Sequence, residues 1–336
     1  VKVHLQVEGS PLRALDSARA IAAVGADGVF SFEGPHDVFV PLVLAAGTGL
    51  ELMTNVAIAG PRSPLHLAHA AHDLQMLSAG RFRLGLGSQI RVHIEKRYGG
   101  RWDRPARRTG ESVAAVQAIL SAWEGKAPLD FRGEFFTHTL MPPTFDPGPT
   151  GYGAPPVLMG ALGPVMTRTA AEVADGLLVM PFNTTAHFVH RTVPALTRGL
   201  ANSGRDLTDF DVVAQAMVAV GRTAAEVAAA IDAVARLIAF YASTPAYRPV
   251  LEVEGWEDLQ PRLNALSKQG RYAEMRGLIT EPMVRAVALV GSPADCAVQA
   301  RERFGDYARD ICCYFPHYEP DPAAIAELVH CLHALP

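Results

Sequence analysis

The chain of 336 residues is 49% hydrophobic and 19% charged, enough to bury a sizeable core and too apolar for a disordered segment. Its formal net charge is -4 and its lysines and arginines are spread along the sequence, so no electrostatic footprint for nucleic acid is present. No apolar run reaches the roughly 18 residues of a membrane span, and "VKVHLQV" at the start carries no charged leader with a cleavage site, so a cytoplasmic protein is expected.

In chain order, "VKVHLQV" is a β-branched run, "PLRALDSARAIAAVGAD" repeats apolar residues at three and four spacing, and "GVFSFE" is a second strand. The same alternation continues: helix 38–47, strand "LELMTNVAI", helix 64–79, strand "RFRLGLG", helix 106–123. After an irregular stretch at 125–154 come strand "PPVLMGA", helix 163–175, strand "GLLVMPF", helix 185–203 and strand "FDVVAQAMVAVG". An Ala-rich helix at 223–241 leads into a second excursion at 242–286, then "ADCAVQARERFG", a last strand "DICCYFP" and a terminal helix. Eight near-continuous apolar strands alternating with helices predict one α/β domain over 1–336, a (β/α)8 TIM barrel with insertions. A doubly wound sheet would need a glycine fingerprint after the first strand, and "QVEGSPLRAL" has none. Two phrases, "VGADGVF" at 24–30 and "VADGLLV" at 173–179, each close a helix and open a strand, and "GDYARDICCYF" is a looser third copy.

In such a barrel the chemistry belongs at the C-terminal ends of the strands. The second strand runs into Glu33, His36 and Asp37, a carboxylate and an imidazole able to orient a ligand and move a proton; the alternative has Asp37 capping the next helix and His36 on a surface turn. The third strand leads through "NVAIAGPRSP" to a helix starting at Pro64, behind Ser63. Gly160-Ala161-Leu162-Gly163 breaks a buried strand and turns into a helix, a place where free N–H groups and the positive helix end would hold a phosphate. A tight turn needing glycine geometry is the other reading. His66, His69 and His72 fan across about 120° of a helix and do not converge on a metal, and no metal is expected. Neither a nucleophile elbow nor a P-loop occurs, which disfavours a hydrolase or a phosphoryl transferase. Cys296, Cys312, Cys313 and Cys331 lack CxxC spacing and read as reduced core residues.

"GADGVFSFEGPHD", "LMTNVAIAGPRSPLHLAHAAHDLQMLSAGRFRLGLGSQ", "EKRYG" and "GALGPVMTRTAAEVADGLLV" together resemble the luciferase-like monooxygenase superfamily, in its deazaflavin-dependent branch of methylenetetrahydromethanopterin reductase-like oxidoreductases. The resemblance covers most of the chain. It implies a homodimeric barrel that binds coenzyme F420, or alternatively FMN, in its mouth and transfers hydride to or from a small organic substrate. It places a non-prolyl cis peptide at Asn55-Val56 against the ring, Gly87, Ser88 and Gln89 beside it, and the phosphate at Gly160, Ala161, Leu162 and Gly163. Glu33 matches the family's carboxylate, with His36 as a displaced imidazole, so these two are the expected catalytic residues. Ile90 stands where sugar phosphate dehydrogenase relatives have a glutamate, which argues against that substrate. With FMN, an oxygen-using monooxygenase would follow; a barrel that binds flavin without catalysis is the third reading. Gly85 and Gly87 in "RFRLGLG" are expected to be small because a ring or a neighbouring backbone comes close. The aromatics of the two excursions, among them Phe135, Phe136, Tyr241 and Tyr247, are expected to form either a lid or substrate wall over the barrel mouth, or an oligomer contact or a cover over exposed helices.

Overall fold

The computed structural model describes residues 1–335. Eight parallel strands close on themselves: β1 (Lys2–Gln6), β2 (Gly28–Ser31), β3 (Glu51–Thr54), β4 (Phe82–Gly87), β5 (Val157–Ala161), β6 (Gly176–Val179), β7 (Asp211–Val220) and β8 (Asp310–Tyr314). Each pairs with the next, and β8 pairs with β1 from Lys2 opposite Asp310 to Leu5 opposite Cys313. Helices follow the strands, so this is the (β/α)8 TIM barrel that the alternation predicts.

Side chains alternate across each strand, as the twofold period of an extended chain requires. Phe30, Met53, Leu158, Leu178, Val213 and Cys312 turn inward and fill the barrel. Their neighbours Val29, Leu52, Leu177 and Cys313 turn outward into the core shared with the helices. Cys296, Cys312 and Cys313 are buried, Cys331 is half-buried, and all four are free thiols.

The repeated phrases have a shared job. Asp27 accepts the Val3 N–H at 2.7 Å, and Asp175 accepts the Val157 N–H at 2.7 Å, so each aspartate ties its own strand to the start of the preceding one. The glycine that follows lets the neighbours close in: a Cβ at Gly28 would lie 2.3 Å from His4 Nδ1, and one at Gly176 would lie 2.5 Å from the Asp211 carbonyl. In the third copy Asp310 takes the glycine's place and projects into the barrel.

The two excursions differ. The stretch at 125–154 forms a hairpin, Phe131–Arg132 with Thr137–His138, and lies over neighbouring helices. Glu111, in helix Pro105–Trp123, accepts the N–H groups of Glu134, Phe135 and Phe136. His72 bonds the Gly148 carbonyl and packs on Trp123 with His69, so these histidines serve the helix face. The stretch at 242–286 is helical and, with helix Ala224–Ala242, has its own core around Val234, Ile238, Leu263 and Met275. Among the described residues no single helix is long and apolar enough to cross a membrane.

Candidate active site

The C-terminal ends of β2 to β8 and their loops enclose a cavity of about 940 Å3, the size of a cofactor and substrate site. Asn55, Val56, Gly87, Ser88, Gln89 and the run Gly160 to Gly163 all line it. Glu33 does too, and Ile90 stands at the rim.

The platform is built by β3 on β4. The Asn55-Val56 peptide is cis. Thr54 and Gly85 exchange hydrogen bonds at 2.8 Å, the Thr54 hydroxyl donating to the Gly85 carbonyl and accepting its N–H. A Cβ at Gly85 would lie 2.0 Å from the Thr54 carbonyl oxygen, and one at Gly87 2.5 Å from a Val56 methyl. Both glycines therefore make room for the end of β3: a neighbouring backbone at Gly85, a side chain at Gly87. Val56 rests on the barrel's inner cluster. Asn55 is buried; its N–H bonds the Ser31 carbonyl and its side chain meets the Cys312 thiol, while its Nδ2 has no partner. A buried amide donor left open costs about 1–3 kcal/mol, a cost that an acceptor reaching Nδ2 would relieve.

On β5 the backbone leaves the strand at Ala161 and enters helix Pro164–Val173 through Gly163, which gives no side-chain cap. Pro164 has no N–H, and those of Val165 and Met166 lack an intrahelical acceptor by the geometry of a first turn. Both residues line the cavity, so its wall presents a helix N-terminus, the arrangement suited to a phosphate. Arg91, Arg104 and Arg107 border the same opening. Arg104 pairs with Asp103 and Glu134, and Arg107 with Glu134 at 2.8 Å, which holds the guanidiniums in place.

Glu33 is a fully engaged carboxylate. It accepts the Ile58 N–H at 2.8 Å, Arg62 Nη1 at 2.6 and 2.8 Å, and the Tyr98 hydroxyl at 3.1 Å. Burial, followed by the adjoining Glu33 charge, pushes the Tyr98 phenol up from its ordinary value and keeps it a donor. The expected pairing of Glu33 with His36 is not assembled. The turn through Gly34 and Pro35 carries the chain out of the mouth, Asp37 accepts the N–H groups of Phe39 and Val40 ahead of the next helix, and His36 is exposed outside the cavity lining. The capping alternative describes this loop.

The arginines of the rim, Gln215 and Tyr314 in the lining, and Arg62 and Tyr98 behind Glu33, are the residues that sequence patterns did not single out for a role; Tyr241 and Tyr247, expected among the aromatics of the excursions, also line the cavity. Six arginines between positions 91 and 108 were the available signal for the rim. The short helix Arg91–Lys96, which delivers Tyr98 to Glu33, carries no apolar period to predict it.

A family model described as luciferase-like monooxygenase matches residues 2–309. The chain belongs to this luciferase-like family. Members of the family are oxidoreductases or monooxygenases. The chain is 49% identical over 305 residues to an uncharacterized protein of Mycobacterium tuberculosis, covering 90% of each. It is 30% identical over 274 residues to the 5,10-methylenetetrahydromethanopterin reductase of Methanolobus tindarius, covering 80% of this chain and 78% of that one. Among solved structures it is similar in fold to the coenzyme F420-dependent tetrahydromethanopterin reductase of Methanopyrus kandleri, with a TM-score of 0.82 and 21% identity over 99% and 97% of the two chains.

Proposed function

We propose that this protein is a coenzyme F420-dependent oxidoreductase that moves hydride between the deazaflavin and a small organic substrate. The observation that carries the reading is the union, in one cavity, of a β3 platform with an open buried donor at Asn55 and a helix N-terminus at 163–166. The similarity to a methylenetetrahydromethanopterin reductase, together with the likeness in fold to a tetrahydromethanopterin reductase that is coenzyme F420-dependent, supports F420 over FMN.

A bound deazaflavin supplies hydride chemistry and does not activate oxygen. The chain's residues do the rest. Val56 and Gly87 shape a flat wall; Asn55 Nδ2 and the Gln215 carboxamide offer hydrogen bonds at the cavity floor. The N–H groups of Val165 and Met166 hold a phosphate, and Arg91, Arg104 and Arg107 hold further anionic groups at the opening. Glu33, which lines the cavity and whose N–H bonds the Val56 carbonyl, exchanges a proton with the substrate in place of His36, its carboxylate oriented by Arg62 and Tyr98. Glu33→Gln should lower turnover by about 100-fold with cofactor affinity retained, and His36→Ala should leave turnover near the parent value; unchanged turnover in Glu33→Gln rejects the assignment.

Titrating the purified chain with F420 and, separately, FMN while following the absorption spectrum tests the cofactor. Saturable F420 binding is expected. Tight FMN binding without F420 affinity would overturn the reading in favour of an oxygen-using monooxygenase. The homodimer is part of the same proposal: Val40, Val43 and Leu44 on one helix and Met76 and Leu77 on the next are exposed apolar side chains that a second copy would cover.

A further inference from the structure

The wall of the cavity opposite the platform has a chemistry of its own. Val56 follows β3; four strands round the barrel, Tyr241 comes from the helix after β7, Tyr247 from the turn Pro245–Tyr247, and Tyr314 ends β8. All three line the cavity. Tyr241 and Tyr247 pack on each other and on fully buried Phe182, with ring centroids 5.9 to 6.1 Å apart, while Tyr314 packs edge-on to Phe32 at 6.1 Å. The rings are thereby fixed, and their hydroxyls have few directions left to take.

None of these three hydroxyls has a hydrogen-bond partner among the described residues. Tyr318 shows the contrast: its hydroxyl donates to the Val218 carbonyl at 2.8 Å and accepts the Val220 N–H at 3.0 Å. Burial, then the phenols of Tyr314 and Tyr247, raise Tyr241 well above the ordinary tyrosine range, and burial pushes Tyr247 up to about 12 and also raises Tyr314. At neutral pH all three are O–H donors. The charged residues in the cavity lining, Glu33, Arg91, Arg104 and Arg107, lie on the β2 and β4 loops; Glu33 follows Phe32, on which Tyr314 packs, and its carboxylate is taken up by Arg62, Tyr98 and the Ile58 N–H. Three neutral donors on an aromatic surface without a protein acceptor complement a ligand that brings an acceptor and no charge.

We propose that the substrate half of this cavity recognises an uncharged, flat, largely apolar molecule through a carbonyl group whose oxygen accepts hydrogen bonds from Tyr241, Tyr247 and Tyr314. This names the substrate class for the oxidoreductase reading above and rests on it. It also excludes phosphorylated or carboxylate groups from that half of the site, since they would have no cation to meet there.

The test uses 9-fluorenone and fluorene, a pair differing by the carbonyl, titrated into the full chain with and without bound cofactor. Fluorenone should bind tighter than fluorene by about threefold to tenfold for each hydroxyl engaged, and its infrared carbonyl stretch should fall on binding. Tyr241→Phe, Tyr247→Phe and Tyr314→Phe should each reduce the affinity ratio and move the stretch back up, and Tyr272→Phe, at an exposed position outside the cavity, should change neither. Equal affinity for the two probes, or a ratio and stretch that survive all three changes, overturns the proposal; the infrared shift of the parent protein decides even where a variant fails to fold. F420 titration of the same samples reads the oxidoreductase assignment separately. Phenol-dependent fluorenone binding without F420 binding would support the carbonyl site while sinking that assignment.

Discussion

At the N-terminal end of the barrel, Asp310 accepts from Arg83 at 2.7 and 3.2 Å and lies 2.6 Å from His4 Nε2, while Arg83 also reaches Glu51 at 3.4 Å and Glu51 binds Lys2. At the C-terminal end, Asn55 lines the cavity with its Nδ2 buried, and neither that atom nor the hydroxyls of Tyr241, Tyr247 and Tyr314 have a hydrogen-bond partner among the described residues. The lower group sits on the strands themselves, whereas above, Asn55 follows β3, Tyr314 ends β8, and Tyr241 and Tyr247 come from the helix and turn after β7. Below, the partners are other residues of the chain: the Arg83 guanidinium fills the position a cation would take among His4, Glu51 and Asp310, and four strands are bound together. Above, the polar atoms are held in place by packing and left open. If the upper group serves the proposed binding and the lower one folding, substitutions should separate the two.

The largest effect is expected at Asp310. Replacing it by alanine leaves Arg83 buried without its main partner, which should cost about 3–5 kcal/mol in denaturant unfolding, with cofactor affinity of the folded fraction unchanged. The pH dependence has a definite sign. Burial alone would raise the Asp310 carboxyl, but hydrogen bonds from His4 and Arg83 outweigh it and hold the group well below the usual carboxylate range. The unfolded chain, with its aspartate near about 3.9, takes up the proton first. The stabilisation is therefore complete above about pH 4 and is lost as pH falls below it. Asp310→Asn should remove that part of the acid slope; a parallel slope in parent and variant would place the pH dependence elsewhere.

Gly85→Ala comes next and acts between the two ends. The added Cβ would meet the Thr54 carbonyl at 2.0 Å and a Leu178 methyl at 2.4 Å, and the former is backbone that cannot turn aside. Overpacking of this kind costs about 1–3 kcal/mol. Because Thr54 leads directly into Asn55, F420 affinity should fall along with the unfolding midpoint. Loss of stability with full affinity would mean that the platform does not depend on the β3–β4 contact.

How much of this was legible in the sequence follows from the range of each interaction. Strands and barrel were readable because each strand carries its burial in consecutive apolar residues, and because Asp27 and Asp175 act within short repeated phrases. The glycines of "RFRLGLG" and 160–163 were readable because a missing side chain is itself a local mark. Glu33 was visible but its partners were not: Arg62 and Tyr98 reach it from 29 and 65 positions away, along loops without periodicity. His36 is adjacent in sequence, yet the Gly34-Pro35 turn decides its direction. Tyr241 and Tyr247 were noted as excursion aromatics with two readings, and only the packing on Phe182 turns them into the cavity. The excursion at 125–154 had the same two readings and lies over helices. The lower cluster had one written sign, Asp310 where the other copies have glycine.

The smallest effect on stability, and the sharpest test of the comparison, belongs to Asn55→Ala. The parent fold already bears an unpaired buried amide there, so truncation relieves about as much desolvation cost as it loses in packing and in the contact with Cys312. The unfolding free energy should change by less than about 1 kcal/mol. The donor's worth appears only when a ligand supplies the acceptor, so F420 affinity should fall by about tenfold, one hydrogen bond's contribution. Asp310→Ala should do the reverse, costing stability and sparing affinity. Measured side by side by unfolding and by F420 titration, the two variants form a crossed pair. A large stability loss in Asn55→Ala with unchanged affinity would show its amide to be part of the folding core, and the division of labour between the two ends of the barrel would fall with it.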